Sequence, residues 1–215
     1  MCFSAQASFL AATGLLLLYS TTIRTATTRA DKFMATTQLL FALQQICEGF
    51  VWITLNHEDT TSFIHHLSVY GFLLFAFGLW PFWIPFVLSM GEEGGNKKRM
   101  QLFTMLGLVV SLSLFGITLF YGATASPYFR HILYDIPAPW PLSFIGFLLF
   151  LICALVPLFL SGVPGTRFLA IAGTVGLVVS LALYRLFFIS VWCFFAAVCS
   201  GLISVLILGR AHHEK

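Results

Sequence analysis

An all-α bundle that crosses a membrane seven times is the fold this sequence predicts, and three observations predict it. Of the 215 residues, 59% are hydrophobic and only 9% charged, whereas a soluble domain carries roughly a quarter charged residues. The mean hydropathy is +0.95, and the apolar residues gather in runs of about 20, the length that crosses a bilayer. Basic residues fall in the short segments between alternate runs. The 24 phenylalanines suit a lipid-facing surface, and an ordinary soluble domain is excluded. The net charge of +3 forms no patch, so no nucleic-acid partner is expected. The lipid bilayer is the expected environment.

The runs follow one another as a single transmembrane unit over 1–215. The first, 6–23, follows an uncharged head, MCFSAQASF, which lacks the basic residues of a signal-peptide n-region. The second covers 34–56. The third, 63–90, contains Pro81 and Pro85 within LWPFWIPF, which predict a kink or a broken end. The fourth and fifth cover 101–122 and 140–161. Between them, ATASPYFRHILYDIPAPWP (123–141) carries Pro137, Pro139 and Pro141, which forbid regular helix. Its aromatic and aliphatic residues predict a short segment on the membrane surface, or a cap on an outward cavity. The sixth and seventh, 167–186 and 188–209, are parted only at YRLFFIS, with Arg185 as the break. Merging them gives six spans. Cys2, Cys47, Cys153, Cys193 and Cys199 are an odd set without paired spacing, so thiols rather than a disulfide framework are expected.

Seven spans put the two termini on opposite sides. Nine of the eleven Lys and Arg then fall on one side: Arg24, Arg29, Lys32, Lys97, Lys98, Arg99, Arg167, Arg210 and Lys215. Arg130 and Arg185 fall on the other. The positive-inside bias places the N-terminus outside and the C-terminus in the cytoplasm. Six spans would leave the last basic tail on the wrong side.

The outward side collects most of the chemistry-bearing residues, including Cys2, Ser4, His65, His66, His131, Asp135 and Arg185. Glu48, in FALQQICEGFVW, is different in kind, because it is an ionisable group deep in a span. Such a group marks a functional site by default. Helix spacing sets Gln44 and Gln45 one turn before it and Trp52 one turn after, on a face that must look into the bundle. A clamp that only fixes helix packing is the structural alternative. Tyr70 shares a face with His66, and Arg185 either pairs with Glu48 or snorkels to the interface. The candidate ligand-binding set is therefore Gln44, Gln45, Glu48, Trp52, Tyr70 and Arg185. A zinc site would draw on Glu48, His65, His66, His131 and Cys2, although no pair has a diagnostic spacing.

Three segments, MCFSAQASF, QQICEGFVW and LWPFWIP, resemble an uncharacterised family of small bacterial integral membrane proteins that open with Met-Cys-Phe-Ser-Ala. The resemblance covers about the first 85 residues. It implies a bacterial inner-membrane location and groups Cys2, Ser4, Gln44, Gln45, Glu48, Trp52, Trp80, Pro81, Trp83 and Pro85 into one constellation. A looser similarity, through HHLSVYG, is to seven-span zinc hydrolases of the ceramidase and adiponectin-receptor kind. Those carry paired zinc-ligand histidines in the last span, and SVWCFFAAVCSGLISVLILG has none.

Three readings follow. The first is a transporter, receptor or sensor with an outward-facing polar pocket around Glu48 for a small ligand, ion or proton. The second is a metal-dependent hydrolase acting on lipid at the outer leaflet, with Ser4 or Ser68 orienting substrate. The third is a non-catalytic subunit whose polar face packs helices.

Overall fold

The computed structural model describes residues 4–128 and 131–213, with backbone alone at 210–213. Seven helices among these residues are long and apolar enough to cross a membrane, so the seven-span reading stands and the six-span one falls. Helix α1, Ala5–Thr25, starts at Ser4, whose hydroxyl accepts from Ala7 N at 3.2 Å. That is N-capping, which satisfies one of the free amides of the first turn. Helix α2, Arg29–Asn56, begins earlier than the expected 34 for the same reason. Thr28 Oγ1 accepts from Asp31 N at 3.0 Å and donates to Asp31 Oδ2 at 2.7 Å.

The third span runs as α3, Phe63–Leu73, a π-helical segment over Leu74–Leu79, and α4, Trp80–Gly91. A continuous α-helix would drive the Pro81 ring into the carbonyl four residues back. The widened π turn just before it removes that conflict. Pro85 brings no N–H to the carbonyl of Pro81, and α5, Gly94–Tyr121, fills the space with Gly107. A Cβ added at Gly107 would lie 2.0 Å from Pro81 O. The close crossing of α4 and α5 therefore requires glycine there.

Residues 123–139 contain a two-stranded antiparallel hairpin. Strand β1, Thr124–Tyr128, pairs with β2, His131–Asp135, in a register that sets Ala125 opposite Tyr134 and Pro127 opposite Ile132. The alternation of Ile132 and Tyr134 supplies the reason, since a period of two puts both on one face. That face is buried against Trp52, Val69 and Phe72, with the Tyr134 ring stacked on Phe72 at 4.7 Å. Helix α6, Trp140–Leu160, is the fifth span, and α7, Thr166–Leu183, is the sixth. It ends at Leu183 rather than 186, because Tyr184 leaves helical geometry. The last span is a 3₁₀ turn, Arg185–Phe187, followed by α8, Phe188–Ser200, and α9, Leu202–His213.

Helix α2 is the axis of the bundle. Its apolar window is 61% buried at a mean hydropathy of 1.2, whereas that of α6 is 28% buried at 2.7. A membrane inverts the soluble rule, because lipid accepts apolar faces and polar faces must turn inward. Phe120 and Phe63, 82% and 79% exposed, belong to the faces that lipid covers. At the basic end, Glu92 is buried and accepts from Ser161 Oγ at 2.7 Å and Gly162 N at 2.6 Å. This ties the α4–α5 turn to the α6–α7 turn.

Candidate functional site: a polar seam and the cavity beside it

Along α2, Asp31, Gln38, Gln45 and Trp52 recur every seven residues, with Gln44 and Glu48 beside them, and all six are buried. The facing stripe on the last span is Ser190, Cys193, Ala197, Ser200 and Ser204, spaced by three and four. Small residues at that spacing let two helices approach and let hydroxyls reach across. Ser190 Oγ donates to Glu48 Oε1 at 2.5 Å, and Gln45 Nε2 donates to Glu48 Oε2 at 3.2 Å. Two turns away, Gln38 Nε2 donates to Ser204 Oγ at 2.7 Å and to Ser200 O at 3.2 Å. Thr22 of α1 joins Ser204 at 2.7 Å. Ser190, Ser200, Ser204 and Gln38 were not singled out by sequence reasoning. The three-four spacing of small residues in an otherwise bulky span is the signal that could have found them.

The motifs that carry the family resemblance meet here. Trp80 Nε1 donates to Gln44 Oε1 at 2.9 Å, and its ring stacks on Phe41 at 3.9 Å. Trp83 Nε1 donates to Thr37 Oγ1 at 3.0 Å. Gly49 receives Phe9 of α1 so closely that a Cβ would lie 2.7 Å from that ring. The Gln-Gln-x-x-Glu-Gly segment is thus a packing surface on several sides.

Glu48 itself is completely buried. The wall of the nearby cavity does not include Glu48. The cavity, of about 340 Å³, lies at the hairpin end between α5, α6 and the start of the last span. Tyr134, Asp135, Ser143 and Arg185 supply its polar groups, and Phe147, Phe150 and Trp192 its aromatic wall. Cys193 belongs both to this wall and to the surroundings of Gln44 and Glu48. Seam and cavity are neighbours with one thiol between them.

Of the residues proposed from sequence, Gln44, Gln45, Glu48 and Trp52 come together on the buried face of α2. Tyr70 does not join them, because its hydroxyl accepts from Ala123 N at 3.2 Å and so anchors the chain entering the hairpin. Arg185 is exposed and lines the cavity, away from the seam. The metal candidates separate as well. His65 is buried with Nδ1 2.8 Å from Thr54 Oγ1, and His66 is exposed with Nδ1 3.0 Å from Ser62 O. His131 stacks on Phe187 at 4.6 Å, and burial pushes its imidazole below the usual histidine range. Cys2 and Arg130 lie outside the described residues. Among the described residues, no group of three or more His, Cys, Asp or Glu could hold a metal ion. The serines proposed to orient a hydrolase substrate serve local structure. Ser4 caps α1, and Ser68 Oγ donates to Ile64 O at 2.7 Å.

No curated protein and no solved structure matches this chain. A model of a family of unknown function, DUF6629, matches residues 1–215, well past the three N-terminal segments that carried the resemblance. The chain belongs to that family.

Proposed function

We propose that this is a bacterial inner-membrane protein, with its hairpin end outward, that binds a small amphipathic molecule in the cavity under the hairpin. One observation carries the reading: a space of about 340 Å³ whose lining combines aromatic side chains with Thr118, Tyr134, Asp135, Ser143 and Arg185. That pattern of mostly apolar lining with a few converging polar groups is the ordinary signature of a ligand site. The excess of basic residues at the opposite end supports the orientation. The hairpin is the cap, with Ile132 and Tyr134 on its buried face.

A second reading concerns Glu48, and its complete burial favours it. The carboxyl group works as a clamp between α2 and the last span, and a transporter, receptor or sensor role would rest on the cavity rather than on this group. Intramembrane polar pairs of this kind contribute about 0.6 kcal/mol on average and up to about 1.7.

The test is to extract the protein with its surrounding lipid in polymer-bounded discs and identify small molecules retained by it. A species enriched with the wild type and lost in Ser143→Trp, which fills the cavity from an exposed α6 position, supports the reading. Identical retained molecules in both proteins contradict it.

A further inference from the structure

A second cavity stands back to back with the first. It measures about 130 Å³, lies toward the basic end, and is lined by apolar side chains such as Trp83, Leu155, Leu169 and Ile203. The two cavities share Phe150, Trp192 and Cys193. The partition between them is therefore chiefly one aromatic pair. The Phe150 and Trp192 rings meet edge to face at 5.3 Å and 71°. Trp192 is held from behind by one hydrogen bond, Nε1 to Gly173 O at 3.2 Å, and by Phe188 stacked at 5.3 Å.

We infer that the two cavities are one elongated site for a single-chain amphiphile whose head carries both signs of charge. The inference rests on the outer cavity being a ligand site, as proposed above, and adds what fills it. The head lies at Asp135 and Arg185, one acid and one base on the same cavity wall and both exposed. The chain runs past Phe150 and Trp192 into the apolar space beyond. The gradient of chemistry sets the direction: both charges line the outer cavity, and the inner one is lined by no charged side chain, its polar groups being Thr37, Ser200, thiols and indole N–H groups already bonded within the bundle. A compact polar ligand would leave the inner wall unused. An amphiphile with two bulky chains would not pass a gap set by two rings. Rotation of Trp192 about its side-chain bonds opens the partition at the expense of one hydrogen bond to a backbone carbonyl. Gly173, across from it, keeps that side of the passage free of a side chain.

The experiment uses the full chain in nanodiscs with two photoreactive lysophosphatidylcholine probes, one carrying its diazirine beside the head and the other at the chain end. Labelled residues are mapped by peptide mass spectrometry. In the wild type, the head probe labels the hairpin and the start of α6, and the chain-end probe labels the inner wall around Leu155 and Ile203. Gly173→Leu fills the inner cavity, where a Cβ meets only Leu155 Cδ2 at an ordinary 3.4 Å. It abolishes the inner label and keeps the outer one. Ala196→Leu, on the same wall, replaces it should Gly173→Leu fail to fold. Chain-end label confined to lipid-facing residues such as Phe120, with head label intact, overturns the elongated site and leaves the outer site standing. Absence of head label above that of a random surface residue overturns the outer site itself.

Discussion

The seam around Glu48 and the cavity beside it touch the same thiol, Cys193, yet they are built in opposite ways. The seam is made by two helices, each presenting a stripe of regular spacing. Its residues are buried, and its hydrogen bonds run chiefly between α2 and the last span. The cavity is assembled from the third span, α5, α6, the hairpin and the last span, and its lining mixes apolar side chains with a few polar and charged ones. A deeply placed carboxyl group is therefore not by itself a ligand site. In a bilayer, where apolar surfaces have no preference between lipid and protein, polar pairs are what distinguish the correct helix partner. Glu48 and Gln38 supply that distinction for the central helix.

Substitutions should separate the two regions cleanly. Glu48→Ala has the largest expected effect on stability, about 1–3 kcal/mol, because it removes the carboxylate that accepts from Ser190 and Gln45 in the core. Reversible unfolding in mixed micelles measures it, and retained small molecules should be unchanged. Gln38→Leu comes next. It removes the bonds to Ser204 and Ser200 and should cost about 1 kcal/mol by the same assay. Equal stability of this variant and the wild type would break the claim that the seam holds the last span. Ser143→Trp should lie within about 0.5 kcal/mol of wild type, as exposed positions do, while losing the retained molecule. Phe120→Ala, on the lipid-facing side, should alter neither.

The hairpin sharpens the contrast through pH. Burial lowers the pKa of His131, so the folded state holds its neutral form and the unfolded state takes up the proton more readily. Stability from the docked hairpin is then full above about 6.5, the unfolded value, and declines as pH falls below it. Hydrogen exchange at Ile132 and Leu133, corrected for the intrinsic rate, should rise on acidification in the wild type. It should stay flat in His131→Phe, which keeps the ring contact with Phe187 and cannot protonate.

Much of this architecture could be read from the residues. The seven apolar runs, the break near Arg185 and the inward face of Gln44, Gln45, Glu48 and Trp52 all follow from local pattern. Local pattern also located the disturbance at Pro81, although not its form as a π turn. The partner of Glu48 was not legible, because Ser190 is a common residue 142 positions away. Neither was the cavity. Phe147, Phe150 and Trp192 are ordinary aromatic residues of membrane spans until the fold sets them around a space. Tyr70 and Arg185 were drawn toward Glu48 by side of the membrane alone, and sidedness does not fix which helices touch. The three histidines of the zinc set were grouped in the same way: His65, His66 and His131 share an end of the bundle and face three different neighbours.

The most direct measurement compares two variants in one experiment: Glu48→Gln and Ser143→Trp, each assayed in native discs for unfolding free energy and for retained small molecules. The account predicts that Glu48→Gln loses stability and keeps the molecule, while Ser143→Trp keeps stability and loses it. A Glu48→Gln protein that is fully stable and emptied of its ligand would contradict the account, and would return the site to the carboxyl group.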